Sequence, residues 1–176
     1  MTLPKRYSIV CMYFYSEATI KNQMAQKSKR EFIIAQALPL FLDNGFKATS
    51  IDLVVKQCGV SKPTVYNHFP DKVALIAAVI EYWVEINQPD LRVIKTKKAF
   101  ERVIQTRWLT DEAIGFYALV IGEGRRFPVA RQYFWARYDE NWRGALIATF
   151  DQSLHALDYP VELIIDQQLL SRLKQL

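Results

Sequence analysis

The sequence predicts an all-α protein, and three observations carry that expectation. Apolar residues recur at the i, i+3, i+4, i+7 spacing of amphipathic helices through most of the chain. Ser, Thr, Asp, Gly and Pro fall where such helices would start and stop. No alternating strand run of useful length, internal repeat or low-complexity tract occurs. With 176 residues and 51% hydrophobic composition, the chain can bury one or two small cores and is not a disordered tail.

Residues 1–26 are expected to be a leader, disordered or belonging to a misassigned start. Lys5-Arg6 followed by "YSIVCMYFY" loosely resembles a secretory signal, but the apolar run is too short for a bilayer span of ~20 residues and no small-residue cleavage site follows. Met24 opens "MAQKSKREFI", a more usual polar lead into a helix.

Helix one is expected over Lys27–Asn44, where apolar residues fall at 33, 34, 37, 38, 40 and 41, with Ser28 as cap and Gly45 past the end. Pro39 inside it removes one backbone bond at ~3 kcal/mol, so a kink near residue 36 or a compensating contact is expected. Helix two follows Thr49-Ser50, repeats Ile51, Val54 and Val55, and stops at Gly59, a natural left-handed C′ residue. Ser61 caps a third helix with Pro63 in its first turn and Val65 and Phe69 inward. Pro70 ends it. Asp71 caps a fourth, about Lys72 to Ile86, with Val73, Ile76, Ala77, Ile80 and Val84 on one face. Beyond "NQPD" at 87–90 the signals stay helical: Ala99-Phe100-Val103-Ile104, Ile114 to Ile121, and Val129 to about Leu157, with Pro160 starting a last helix. The expected division is a first unit over 27–87 and a second helical unit over 88–176.

Two short helices joined by Gly59-Val60-Ser61 have the spacing of a helix-turn-helix at about 50–69, whose second helix lies in the DNA major groove. Pointing away from Val65 and Phe69 are Lys62, Thr64, Asn67 and His68, with Tyr66 at the flank, donors and acceptors that suit base edges and phosphates. The helix starts at Thr49/Ser50, Ser61 and Asp71/Lys72 offer unpaired N–H groups to phosphate oxygens, and Lys72 adds a full charge. Spacing alone leaves another reading open, a capped and solvated helix in a bundle with Tyr66 partly buried. The net charge of +5 and pI of about 9.2 favour acidic partners without requiring them. Residues 91–107 carry Arg92, Lys95, Lys97, Lys98, Arg102 and Arg107 against Glu101, a stretch read as a solvated face or, alternatively, as one that touches DNA backbone beside the first unit.

The stretch "FIIAQALPLFLDNGFKATSIDLVVKQCGVSKPTVYNHFPDKVALIAAV" closely resembles the N-terminal domain of the TetR family of bacterial transcriptional regulators. The match runs from about Lys27 to Glu85 without a gap. It is carried by Leu40-Phe41, Gly45-Phe46, Thr49-Ser50, Gly59-Val60-Ser61-Lys62, Thr64, Tyr66, His68-Phe69, Lys72 and Leu75. The resemblance implies phosphate contacts from Thr49, Tyr66, His68 and Lys72, and base-edge contacts from Lys62, Pro63, Thr64 and Asn67. Pro39, Val55 and Cys58 depart from the family pattern. The segment "YALVIGEGRRFPVARQYFW" (117–135) resembles AefR-like C-terminal domains, with Gly122 and Gly124 as departures. Together these imply a homodimer on palindromic double-stranded DNA, and a repressor released by a small-molecule effector. Family members usually extend about one helix beyond the position of Leu176, so the resemblance implies a shortened final interface.

The second half is rich in aromatic residues, which line ligand pockets when polar groups join them or form ordinary core. Trp108, Phe116, Tyr117, Trp135 and Tyr138 are the candidate pocket residues. Glu123 beside Arg125-Arg126 reads as a ligand anchor or a helix-end charge cluster. His68 and His155 do not make a metal site. With no nucleophile–base motif, no glycine-rich phosphate loop and no paired carboxylates, neither an enzyme nor a cofactor is expected. Cys11 and Cys58 form no disulfide framework or C-x-x-C motif, which points to the cytoplasm and away from a membrane. The alternative function is a helical small-molecule- or partner-binding protein without DNA-binding activity.

Overall fold

The computed structural model describes residues 17–91, 94, 96–153 and 161–175, the side chains of 17–27 and 151–153 excepted. Helix α1 spans Glu17–Ala48, α2 Ile51–Cys58, α3 Lys62–His68 and α4 Lys72–Ile86. Then come α5 Lys97–Val103, α6 Asp111–Gly122, α7 Pro128–Phe134, α8 Glu140–Ser153 and α9 Val161–Leu173. The fold is all-α, and no strand occurs among the described residues.

Helix one starts earlier than expected. Its helical backbone reaches back to Glu17, which places Ser28 inside the helix rather than at its cap; residues 1–16 of the expected leader lie outside the described residues. The departure from helical geometry is not near residue 36 but at Gly45 (φ 85°, ψ 163°). Pro39 and Ala35 both lie on the exposed face, so water takes the hydrogen bond that the Ala35 carbonyl cannot make to Pro39. Ile33, Ile34, Ala37 and Phe41 stay packed on the opposite face.

Capping residues set the short helices. The Ser50 hydroxyl accepts from the Leu53 N–H at 3.1 Å, and Gly59 (φ 64°) takes the left-handed turn that closes α2. The Ser61 hydroxyl accepts from the Thr64 N–H at 3.3 Å, and Asp71 from the Ala74 N–H at 2.7 Å. Each of these caps falls where the sequence placed it.

The inner face of α4 differs from the expected stripe. Val73 is 43% exposed, whereas Leu75, Ala78, Val79 and Trp83 are buried along with Ile76, Ile80 and Val84. A single amphipathic stripe undercounts a helix packed on both sides, here by α1 and by α7. Trp83 sits at the centre, with ring centroids 4.6 Å from Phe116 and 4.6 Å from Tyr138. The core thereby runs without a break from α1 through α4 into α6, α7 and α9.

Two π turns interrupt the second half, Ile104–Trp108 after α5 and Trp135–Asp139 between α7 and α8. The helical run expected from Val129 is therefore continuous but re-registered at Trp135, which turns Tyr138 and Asp139 inward. Its expected end near Leu157 and the start at Pro160 lie outside the described residues. None of the described helices is long and apolar enough to cross a membrane.

Candidate nucleic-acid interface

The corner ahead of α2 is built on Thr49. Its side chain is fully buried, and its hydroxyl lies 2.9 Å from the Leu40 carbonyl and 2.8 Å from the Gly45 carbonyl. The Gly45 carbonyl also accepts the Thr49 N–H at 3.3 Å and the Leu40 carbonyl the Asn44 side-chain amide at 2.9 Å, so Thr49 helps to close the end of α1 and delivers Ser50 to the start of the next helix. α3 is anchored by Val65 and Phe69, at 0% and 1% exposure. The opposite side of this seven-residue helix is left to solvent.

That side carries Lys62, Pro63, Tyr66 and Asn67 exposed, with Thr64 and His68 half-buried. Ser61 is exposed but engaged, its hydroxyl 2.8 Å from that of Thr64. The Lys62 ammonium pairs with Asp52 of α2 at 2.7 Å, and this bond holds the lysine pKa above its usual range. Asp52 is a residue that sequence reasoning passed over, because an acid in the first turn of a helix is ordinary.

Two of the expected contact residues turn inward. Thr49 is spent on α1, and the Lys72 ammonium donates to the carbonyls of Lys47 at 3.0 Å and Thr49 at 3.1 Å while lying over the Phe127 ring. Lys72 thus bridges the N-terminus of α4 to the corner before α2. Truncating it removes charge-assisted bonds that are typically each ~1.5–3 kcal/mol. Lys72→Ala is expected to weaken all duplexes alike, whereas Lys62→Ala lowers preference at one base position by ~1–3 kcal/mol. Titrating each variant with selected and random duplexes checks this; equal loss on both for Lys62→Ala contradicts a base-reading role.

Glu123, at the end of α6, makes a contact far along the chain. Its carboxylate accepts the Lys47 N–H at 2.6 Å, tying the α6–α7 connection to the same corner. Phe46 packs edge-on against Phe127 beside it, with ring centroids 5.6 Å apart. One carboxylate, one ring pair and Lys72 thus connect the α6–α7 turn to the corner before α2. Lys47, Gly122, Glu123, Arg125 and Arg126 line a surface cleft of about 340 Å³ there.

The family profile described as bacterial regulatory proteins, tetR family, matches residues 33–79, which hold the last turns of α1, all of α2 and α3, and half of α4. Over those residues the chain is similar to the tetR family. It is 32% identical over 114 residues to the HTH-type transcriptional regulator UidR of Escherichia coli, covering 60% of this chain and 57% of that protein. It is 34% identical over 84 residues to the HTH-type transcriptional regulator YuxN of Bacillus subtilis, covering 48% of this chain and 29% of that one. The chain thus spans between about a quarter and somewhat over half of the curated relatives it matches. Among solved structures, GusR of Salmonella enterica superposes with a TM-score of 0.62 at 24% identity, over 82% of this chain and 80% of that one. The flavonoid-responsive regulator FrrA gives a TM-score of 0.51 at 28% identity, over 85% and 97%.

The aromatic residues of the second half pack on one another. Trp108, Phe116 and Tyr117 are fully buried and Tyr138 nearly so, while Trp135 is half-buried against Tyr117 with ring centroids 5.5 Å apart. Between them runs a polar chain that the sequence did not announce. The Tyr117 hydroxyl donates to buried Asp139, which accepts from Arg143 at 2.8 Å, and Arg143 reaches on to Asp166 at 2.7 Å. The Tyr138 hydroxyl donates to the Trp108 carbonyl, while the buried Trp108 indole N–H has no hydrogen-bond partner among the described residues. A second cleft, about 310 Å³, lies between the first π turn and α9, lined by Gln105, Gln168, Ser171, Arg172 and Gln175.

Proposed function

We propose that the chain is a sequence-specific DNA-binding transcriptional regulator. Residues 27–87 form its DNA-binding unit and 88–176 its regulatory and dimerisation unit. The observation that carries this is the exposed face of α3, Lys62, Pro63, Tyr66 and Asn67, held on the buried anchors Val65 and Phe69 beside the capped starts of α2 and α4. Base edges fall to Lys62, Pro63, Thr64 and Asn67, and phosphates to Tyr66, His68 and the N–H groups at Ser50 and Ser61. Thr49 and Lys72 act through the corner that they shape.

One helix of this length reads few bases, so a two-fold homodimer on a palindrome fits the reading. Leu163 (43% exposed) and Leu170 (56% exposed) lie seven residues apart on α9 and supply an apolar face for a second copy. A small-molecule effector that releases the protein from DNA fits an aromatic second unit in which the Trp108 N–H has no partner among the described residues, and the flavonoid-responsive regulator lends support. DNA as partner places the protein in the cytoplasm.

The test is retention of duplex DNA in a mobility shift across a salt series. Affinity is expected to fall by several orders of magnitude between ~50 and ~200 mM salt as phosphate counterions return. Retention of no duplex at ~50 mM salt rejects the reading, and a shallow salt slope rejects its phosphate contacts.

A further inference from the structure

We propose that Asp52 is a specificity-determining residue of the DNA-binding face. It fixes the direction of the Lys62 ammonium and keeps it from the phosphates, so that Lys62 serves a base edge. The inference rests on the DNA-binding reading above.

Asp52 stands in the first turn of α2 and Lys62 is the first residue of α3, so their 2.7 Å bond spans the turn between the two helices of the motif. Both side chains are open to solvent, at 51% for Lys62 and 70% for Asp52, so neither fills the core. An exposed pair of this kind adds little to stability, which leaves its use elsewhere. A lysine on a flexible stem takes a phosphate oxygen as readily as a base acceptor. Its ammonium has three donors; with one committed to Asp52, the other two point in set directions.

The experiment titrates wild type, Asp52→Asn, Lys62→Ala and the double variant with the duplex selected by the wild-type protein and with a random duplex. Asp52→Asn is expected to bind random DNA ~3–10-fold tighter, to gain less on the selected duplex, and to steepen the random-DNA salt slope by about one counterion. In the Lys62→Ala background the same change should move random binding by less than ~2-fold, since there is then no ammonium to release. Wild type that retains neither duplex overturns the DNA-binding reading itself. Wild type that binds, with Asp52→Asn shifting both duplexes equally or tightening them as much without Lys62, overturns the Asp52 assignment alone.

Discussion

Asp139→Ala is expected to destabilise the fold by about 3 kcal/mol or more, the low end of what removing one partner from a buried ion pair costs. Asp139 is 5% exposed and takes two donors from opposite sides, the Tyr117 hydroxyl of α6 and the Arg143 guanidinium of α8. Alanine leaves the tyrosine hydroxyl buried without an acceptor, at ~1–3 kcal/mol, while Arg143 keeps only Asp166. For a chain of this size, a loss of that order lowers Tm by roughly 10 °C. Asp139→Asn keeps an acceptor for Tyr117 and loses less. Tyr117→Phe combined with Asp139→Ala should cost less than the two singly added, because both ends of one bond go together. Burial, reinforced by Asp139, pushes the Tyr117 hydroxyl well above its ordinary range. The folded state therefore holds this proton more tightly than the unfolded chain. Its contribution is complete below about pH 10 and declines above, a decline that Tyr117→Phe should lessen. Thermal melts of wild type and the four variants from pH 7 to 11 check both parts, and an Asp139→Ala melt indistinguishable from wild type contradicts the network's role.

The first unit was largely legible because its signals are local. Ser50, Gly59, Ser61 and Asp71 each act on backbone within a few residues, so one short window contains both the cause and the effect. The inward side of α3 was legible for the same reason, since Val65 and Phe69 declare it. What was hidden depends on partners far along the chain. The burial of α4 on a second side is decided by α7, the inward turn of Lys72 by the carbonyls of Lys47 and Thr49, and the role of Glu123 by the Lys47 N–H. The aromatic set shows the same limit. Composition identified Trp108, Phe116, Tyr117, Trp135 and Tyr138, yet the rings meet only because a π turn redirects Tyr138, and no residue type in Trp135–Asp139 marks such a turn. Nothing in the sequence sets Asp139, flanked by Tyr138 and Glu140, apart from a surface acid.

Gly45→Ala is the second large effect, expected to cost about 3 kcal/mol of stability and to lower duplex affinity tenfold or more. Two causes add. At φ 85° and ψ 163° the residue occupies a region that side-chain-bearing residues enter only under strain, ~1–3 kcal/mol. A β-carbon there would also sit 2.5 Å from the Glu123 Oε1, whose other oxygen holds the Lys47 N–H. Alanine therefore drives out the carboxylate that ties α6 to the corner before α2, and the Gly45 carbonyl that receives the Thr49 hydroxyl moves with it. Because α2 starts two residues after Thr49, its axis and the seat of α3 shift together. Glu123→Ala separates the two causes. Alone it frees the Lys47 N–H and weakens the tie. Combined with Gly45→Ala it removes the collision and leaves the backbone strain, so the double variant should lose less than the sum of the singles. Urea midpoints and duplex titrations on the three variants measure this, and strict additivity in both would show that the corner and α6 are not coupled through Glu123.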